Sequence, residues 1–138
     1  MNTITRWMLI SVLTSVMMIA AAPAFSAQAT QIFSCEQDDD TSEDDLRAQA
    51  QAWLKAARQM KGGAGIEAYL YFPVAVNAIR ESDFFFVLVA PSFAEWGEFW
   101  DGYQGSPAAK VDAQNEGSGT VCPNSAVWES EKVVLKAD

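Results

Sequence analysis

The sequence predicts an α+β domain of order β-α-β-β-α-β, one antiparallel sheet with two helices on one of its faces. Two stretches, about Glu43 to Lys61 and Ser92 to Tyr103, repeat apolar residues at helical spacing behind capping signals. Four strand-like stretches are interleaved with them in that order. The two cysteines give an independent check. This order makes the first and last strands antiparallel neighbours, and Cys35 ends the first while Cys122 precedes the last. A Cys35–Cys122 disulfide would therefore tie two adjacent points, as disulfide geometry requires.

The chain of 138 residues opens with a segment that reads as an export signal. Arg6 supplies the early positive charge, and an apolar run follows from Trp7 to Ala22, broken only by Ser11, Thr14 and Ser15. Small residues suited to a signal peptidase come next: Ala22-Pro23-Ala24, Ala24-Phe25-Ser26 and Ala27-Gln28-Ala29. The run is shorter than the ~20 residues of a spanning helix. The expectation is a signal peptide over residues 1–29, cut between 24 and 29, and a single domain over 30–138. The protein is then exported to a bacterial periplasm or the extracellular space, with no membrane segment after cleavage. Ile32-Phe33-Ser34-Cys35 only faintly resembles a lipid-attachment box, with Phe33 too bulky and Cys35 too far from the apolar run.

Export places Cys35 and Cys122 in an oxidising compartment, where two cysteines most simply pair. Loss of the signal removes one Arg and no acid, taking the formal charge from −9 to about −10. That acidity argues against nucleic acid as a partner. The chain has no histidine. This removes His-ligated haem, most zinc sites and every Ser-His or Cys-His nucleophile, so neither cofactor nor metal is expected.

Thr30 to Ser34 is a short alternating stretch that predicts the first strand. The acidic run Asp38 to Asp45 invites a calcium reading, but it lacks the glycine and distal Glu of an EF-hand loop. Ser42 with Asp45, or Thr41 with Asp44, makes a helix cap instead, and the carboxylates suit the positive end of a helix. Leu46, Ala50, Trp53, Leu54, Ala57 and Met60 then form one apolar helix face. Gly62-Gly63 stops that helix; no Gly-Lys-Ser/Thr ending is present to make a phosphate loop.

Ile66 to Val76 predicts the second strand, with Ile66, Ala68, Leu70 and Phe72 on one face and Glu67, Tyr69 and Tyr71 on the other. Pro73 suits an edge or a bulge, and Asn77 to Ser82 is the turn. Asp83 to Ala90 is the third strand, apolar on both faces and so in need of cover on both. Ser92 and Glu95 cap the second helix, whose stripe is Phe93, Trp96, Phe99, Trp100 and Tyr103. Gly105 to Thr120 is expected to be a long loop, and Ala126 to Leu135 the last strand.

This is the split β-α-β arrangement of ferredoxin-like folds. From Thr30 to about Leu135 the chain resembles secreted members of the dimeric α/β-barrel superfamily, which includes the antibiotic biosynthesis monooxygenases. The resemblance rests on element order, on the strand Phe84 to Val89 followed by Pro91-Ser92-Phe93 and Trp96, and on the exported N-terminus. It implies homodimers that pair sheets face to face. In some members it implies oxidation of aromatic substrates without metal or flavin, and in others haem held by a histidine this chain lacks.

Candidate binding residues are aromatic or can hold an oxyanion. Tyr69, Tyr71 and Trp96 are expected to line an apolar cavity, with Trp100 able to stack on a flat ligand. Asn77 and Arg80 in the turn could hold an enolate oxygen or a carboxylate. Each has a plainer explanation as packed aromatic, helix core or turn residue. No acid-base pair converges in the sequence, so the primary expectation is a non-catalytic binding domain for a small aromatic ligand. The alternatives are a cofactor-independent monooxygenase-like enzyme and a structural or inhibitor-like envelope protein acting through the Gly105–Thr120 loop. The third strand also predicts a homodimer. One of its two apolar rows must face away from the helices, extended by Tyr69 and Tyr71 or by Ile66, Leu70 and Phe72. A Gly105–Thr120 loop folded back over the sheet would be the alternative cover.

Overall fold

The computed structural model describes residues 27–75, 82–115 and 120–133. Most of the expected signal segment, and both Asn77 and Arg80, lie outside the described residues. The element order is β1 (Gln28–Gln37), α1 (Glu43–Ala57), β2 (Glu67–Tyr71), β3 (Phe84–Ala90), α2 (Phe93–Asp101), α3 (Pro107–Asn115) and β4 (Thr120–Ser130). The strands form one sheet in the order β2-β3-β1-β4, every pair antiparallel. This is the expected ferredoxin-like α+β fold, with a third helix added.

The register settles which face each residue occupies. Ile32 lies opposite Val87, and Val87 opposite Tyr69; Phe33 lies opposite Phe86, and Phe86 opposite Leu70. Phe33, Phe86 and Leu70 therefore share the helix-covered face. There Ala29, Leu88 and Ala90 pack with Trp53, Ala56 and Ala57 of α1, and with Phe99 of α2, in one core. Cys35, Leu46 and Phe84 make a smaller second cluster. The opposite face carries Tyr69 and Tyr71 of β2, Phe85, Val87 and Val89 of β3, and Ile32 of β1. Tyr69, Tyr71, Phe85 and, on β4, Trp128 keep 43%, 55%, 42% and 59% of their surface exposed. Of the two possibilities for this row, the one with Tyr69 and Tyr71 is realised.

Local chemistry explains the helix starts. Ser42 caps α1, accepting from the Asp45 amide while the Asp45 carboxylate accepts from the Ser42 amide at 3.0 Å. Ser92 caps α2, its hydroxyl accepting from the Glu95 amide at 3.2 Å. The first helix ends at Ala57, not at Lys61, because the chain must turn to run beneath α2. Gly62 sits at φ +72°, where a Cβ would come within 2.4 Å of the Glu95 carbonyl oxygen and 2.7 Å of the Phe99 nitrogen. Lys61 pairs with Glu98 across the same contact.

Three expectations are corrected. Gly105–Thr120 is not one long loop. Pro107–Asn115 is helical, packs on α1 and buries Ala108 completely. Its start has a physical signature, since the Ser106 hydroxyl accepts from the Ala109 amide at 3.0 Å and Pro107 occupies the first helical position. It lies on the helical side, so this helix does not cover the apolar outer row. The last strand runs Thr120–Ser130 and not from Ala126 to Leu135. Its first half hides in the sequence because Pro123 and Asn124 read as breakers. The pairing with β1 shifts by one residue between Ser34 and Glu36, so β4 has an extra residue there, and a proline is tolerated at such a bulge on an edge strand. Finally, β1 extends to Gln37, so Cys35 lies inside the first strand and Cys122 inside the last. Their side chains are joined as a disulfide with Cα atoms 4.0 Å apart, bridging the bulge.

Candidate ligand-binding cavity

A cavity of about 480 Å³ opens between the sheet and the helices. Its floor is Phe33, Leu70, Phe84, Phe86 and Leu88, and its rim is Thr120 to Cys122 at the start of β4. Leu46, Gln49 and Trp53 come from α1, Trp100 and Tyr103 from α2 and the turn that ends it, and Asp112 and Asn115 from α3. The volume lies within the range of small-molecule sites. Aromatic edges and faces dominate the wall. Trp100 and Tyr103 lie 4.6 Å apart between ring centroids, and Trp53 meets Phe86 edge-on at 5.5 Å.

A polar chain crosses this apolar wall. The Trp53 indole N–H donates to the Tyr103 hydroxyl at 3.0 Å, and that hydroxyl donates to Asp112 Oδ2, also at 3.0 Å. Burial above all, and the adjacent Asp112 carboxylate, push the Tyr103 phenol up to about 12, against a smaller lowering by the Trp53 hydrogen bond. At neutral pH this group is therefore an uncharged hydrogen-bonding phenol and not a base. Two other polar atoms, in residues that line the cavity, have no such chain. Trp100 Nε1 and Thr120 Oγ1 are fully buried against protein, with no hydrogen-bond partner among the described residues. Orphans of this kind are rare in native folds and cost about 1–3 kcal/mol each.

The raised phenol has a measurable consequence. The unfolded chain ionises Tyr103 near 10 and the folded chain near 12. The stabilisation is complete below pH 10 and is lost as pH climbs toward 12. Tyr103→Phe should flatten this alkaline fall in denaturant midpoint. An unchanged slope would show that Tyr103 is not the group responsible.

The expected site residues do not gather in one place. Trp100 lines the cavity. Trp96, one turn earlier, packs at the edge of the core, and its indole N–H donates to Gln31 Oε1 at 3.0 Å. Tyr69 and Tyr71 stack at 6.3 Å on the outer face of the sheet, with Tyr69 hydrogen-bonded to Glu67. Trp53, Tyr103 and Asp112 line the cavity without having been singled out from the sequence. Trp53 and Tyr103 read there as helix core, and Asp112 lay in a stretch taken for a loop. Among the described residues no cluster of three or more His, Cys, Asp or Glu could hold a metal ion, and no helix is long and apolar enough to cross a membrane.

No protein-family model matches the sequence, and no curated protein matches it. Solved structures do superpose on it. A protein of Arabidopsis thaliana superposes with a TM-score of 0.52 at 9% identity, over 79% of this chain and 99% of that one. A chlorite dismutase mutant from Candidatus Nitrospira defluvii gives 0.42 at 12% identity, over 79% of this chain but only 42% of that one. A dimeric protein of unknown function and ferredoxin-like fold from Bacteroides fragilis gives 0.41 at 9% identity, over 78% and 99%. At such identities the first of these speaks for the fold alone.

Proposed function

We propose that this chain is an exported homodimeric domain that binds a small, mainly apolar molecule in the cavity between sheet and helices, without catalysing a reaction on it. We place it with the dimeric α/β-barrel superfamily on element order and on its strand-capped-helix segment Phe84 to Trp96. The observation that carries the binding reading is the cavity of about 480 Å³ itself, walled by Phe33, Trp53, Phe86, Trp100 and Tyr103 between sheet and helices. Binding is read from the Trp100 indole N–H resonance. A panel of small aromatic compounds should contain members that shift it saturably, and a panel that leaves it unmoved refutes the reading.

The dimer rests on the outer face. Tyr69, Tyr71, Phe85 and Trp128 present apolar surface over all but the middle of the sheet, and α3 packs on the other side. Soluble monomers rarely expose a contiguous patch of this kind. A second copy covers it with the same surface under two-fold symmetry. Export is supported by the formed disulfide and by the leader sequence. Ala29 is fully buried and pairs with Ala90 and Glu129, so processing that keeps β1 whole would cut after Ala24 or Ser26 and not after Ala29.

Native mass spectrometry of protein recovered from the exporting host reads both points. The expected species is a dimer of chains that begin at Phe25 or Ala27. Phe85→Glu, beside Tyr71 on the outer face, should halve the mass while leaving the far-ultraviolet spectrum unchanged. A wild-type monomer at tens of micromolar would refute the dimer, and chains beginning at Met1 would refute export.

A further inference from the structure

Building on the proposed binding role of the cavity, we infer that α3 is its gate, hinged at Gly105 and latched by the Tyr103–Asp112 hydrogen bond.

The other walls are held fast. β1 and β3 form most of the floor, and each is hydrogen-bonded to a strand on both sides. Cys122 at the rim is bonded covalently to Cys35, which is fully buried in β1. α1 buries Leu46 and Trp53, and α2 buries Phe99 completely. Displacing either helix would bring large apolar side chains into water. α3 has a smaller hold. Ala108 and the capping Ser106 are the only side chains it buries, and its main contact is α1. Yet Asp112 and Asn115 complete the cavity wall. Segments with little apolar burial are the ones that open locally, well below the free energy of global unfolding.

Gly105 lies at φ +73°, and a Cβ there would meet no atom within 4 Å. The backbone therefore has room to rotate just ahead of α3. Ser106 moves with the helix, because its hydroxyl caps it through the Ala109 amide at 3.0 Å. Tyr103 stays behind, its hydroxyl held by the Trp53 indole of α1 at 3.0 Å. The same hydroxyl donates across the hinge to Asp112 Oδ2, also at 3.0 Å. Tyr103 is thus a fixed anchor, and the bond to Asp112 is a latch that spans the pivot. Opening breaks that bond at an exposed carboxylate, which water can solvate in its place.

Asp112→Ala removes the acceptor and puts a better helix former on α3, so no loss of protection there can be laid to helix propensity. Amide hydrogen exchange read by NMR should rise about tenfold over Val111 to Asn115, as loss of one hydrogen bond to a charged group supports. Exchange at Trp53 and in β3 should stay within about twofold. Asp112→Asn keeps an acceptor and should restore most of the protection. Stopped-flow binding of the neutral dye N-phenyl-1-naphthylamine reads the gate itself. Association and dissociation should both quicken about tenfold in Asp112→Ala, leaving Kd within about threefold. α3 amides that exchange only together with the rest of the fold, or equally in all three proteins, overturn the gate. So does faster α3 exchange with unaltered dye kinetics. Faster dissociation alone marks a lost contact and overturns it too. A dye that binds none of the proteins removes the cavity reading, and its gate with it.

Discussion

Replacing Cys35 and Cys122 together by alanine is expected to lower stability by about 4–5 kcal/mol, the largest single effect in this protein. The bond joins residues 87 apart in sequence, and so removes much of the freedom of the unfolded chain. In the chain-entropy model a loop of this size gives about 4–5 kcal/mol. For a domain of roughly 110 residues that is on the order of 15–30 °C in Tm. It is also a sizeable share of the ~5–15 kcal/mol by which native domains outlast unfolding. Calorimetry without reductant checks it, and reduced wild type should melt near the double variant. The native protein should show no thiol to a thiol reagent until it is denatured and reduced. A melting temperature unchanged by the double substitution would mean that the β1–β4 pairing closes the fold unaided.

Phe99→Ala should cost about 3–5 kcal/mol, as truncation of a fully buried aromatic does. Phe99 has no exposed surface, and its ring meets Trp53 at 5.9 Å, Trp100 at 5.2 Å and Tyr103 at 5.7 Å, all near edge-to-face. Its backbone nitrogen also lies where any side chain at Gly62 would collide, so α2 has little room to settle into the space left. Urea unfolding should show a lower midpoint at unchanged slope. Phe99→Leu keeps most of the volume and should cost less than about half as much. Equal losses for the two variants would point to ring geometry and not to filled volume as the source of stability.

Trp100 and Tyr103 take part in both this core and the cavity wall, so the same aromatic stripe that reads as helix packing in the sequence also builds the site. No periodicity distinguishes the two roles. Trp53 is buried with its indole nitrogen bonded to Tyr103, whereas the Trp100 indole nitrogen finds no partner among the described residues. Helix α3 was hidden because Ala, Lys, Asp and Gln dominate Pro107–Asn115 and give it almost no apolar stripe. Ser106-Pro107 was its one local signal.

Residue pattern alone was enough for the order of the main elements, the helix caps at Ser42 and Ser92 and the pairing of the two cysteines. These depend on neighbours a few residues apart, or on topology that leaves a single partner. Whether Phe85 or Phe86 points outward was beyond it. A strand apolar on both sides has no preferred face until β1 and the helices pack against one of them. Cavity, orphaned atoms and outer patch are likewise properties of how α1, α2 and α3 close over the sheet. Contacts between residues distant in sequence decide them, and local pattern records none.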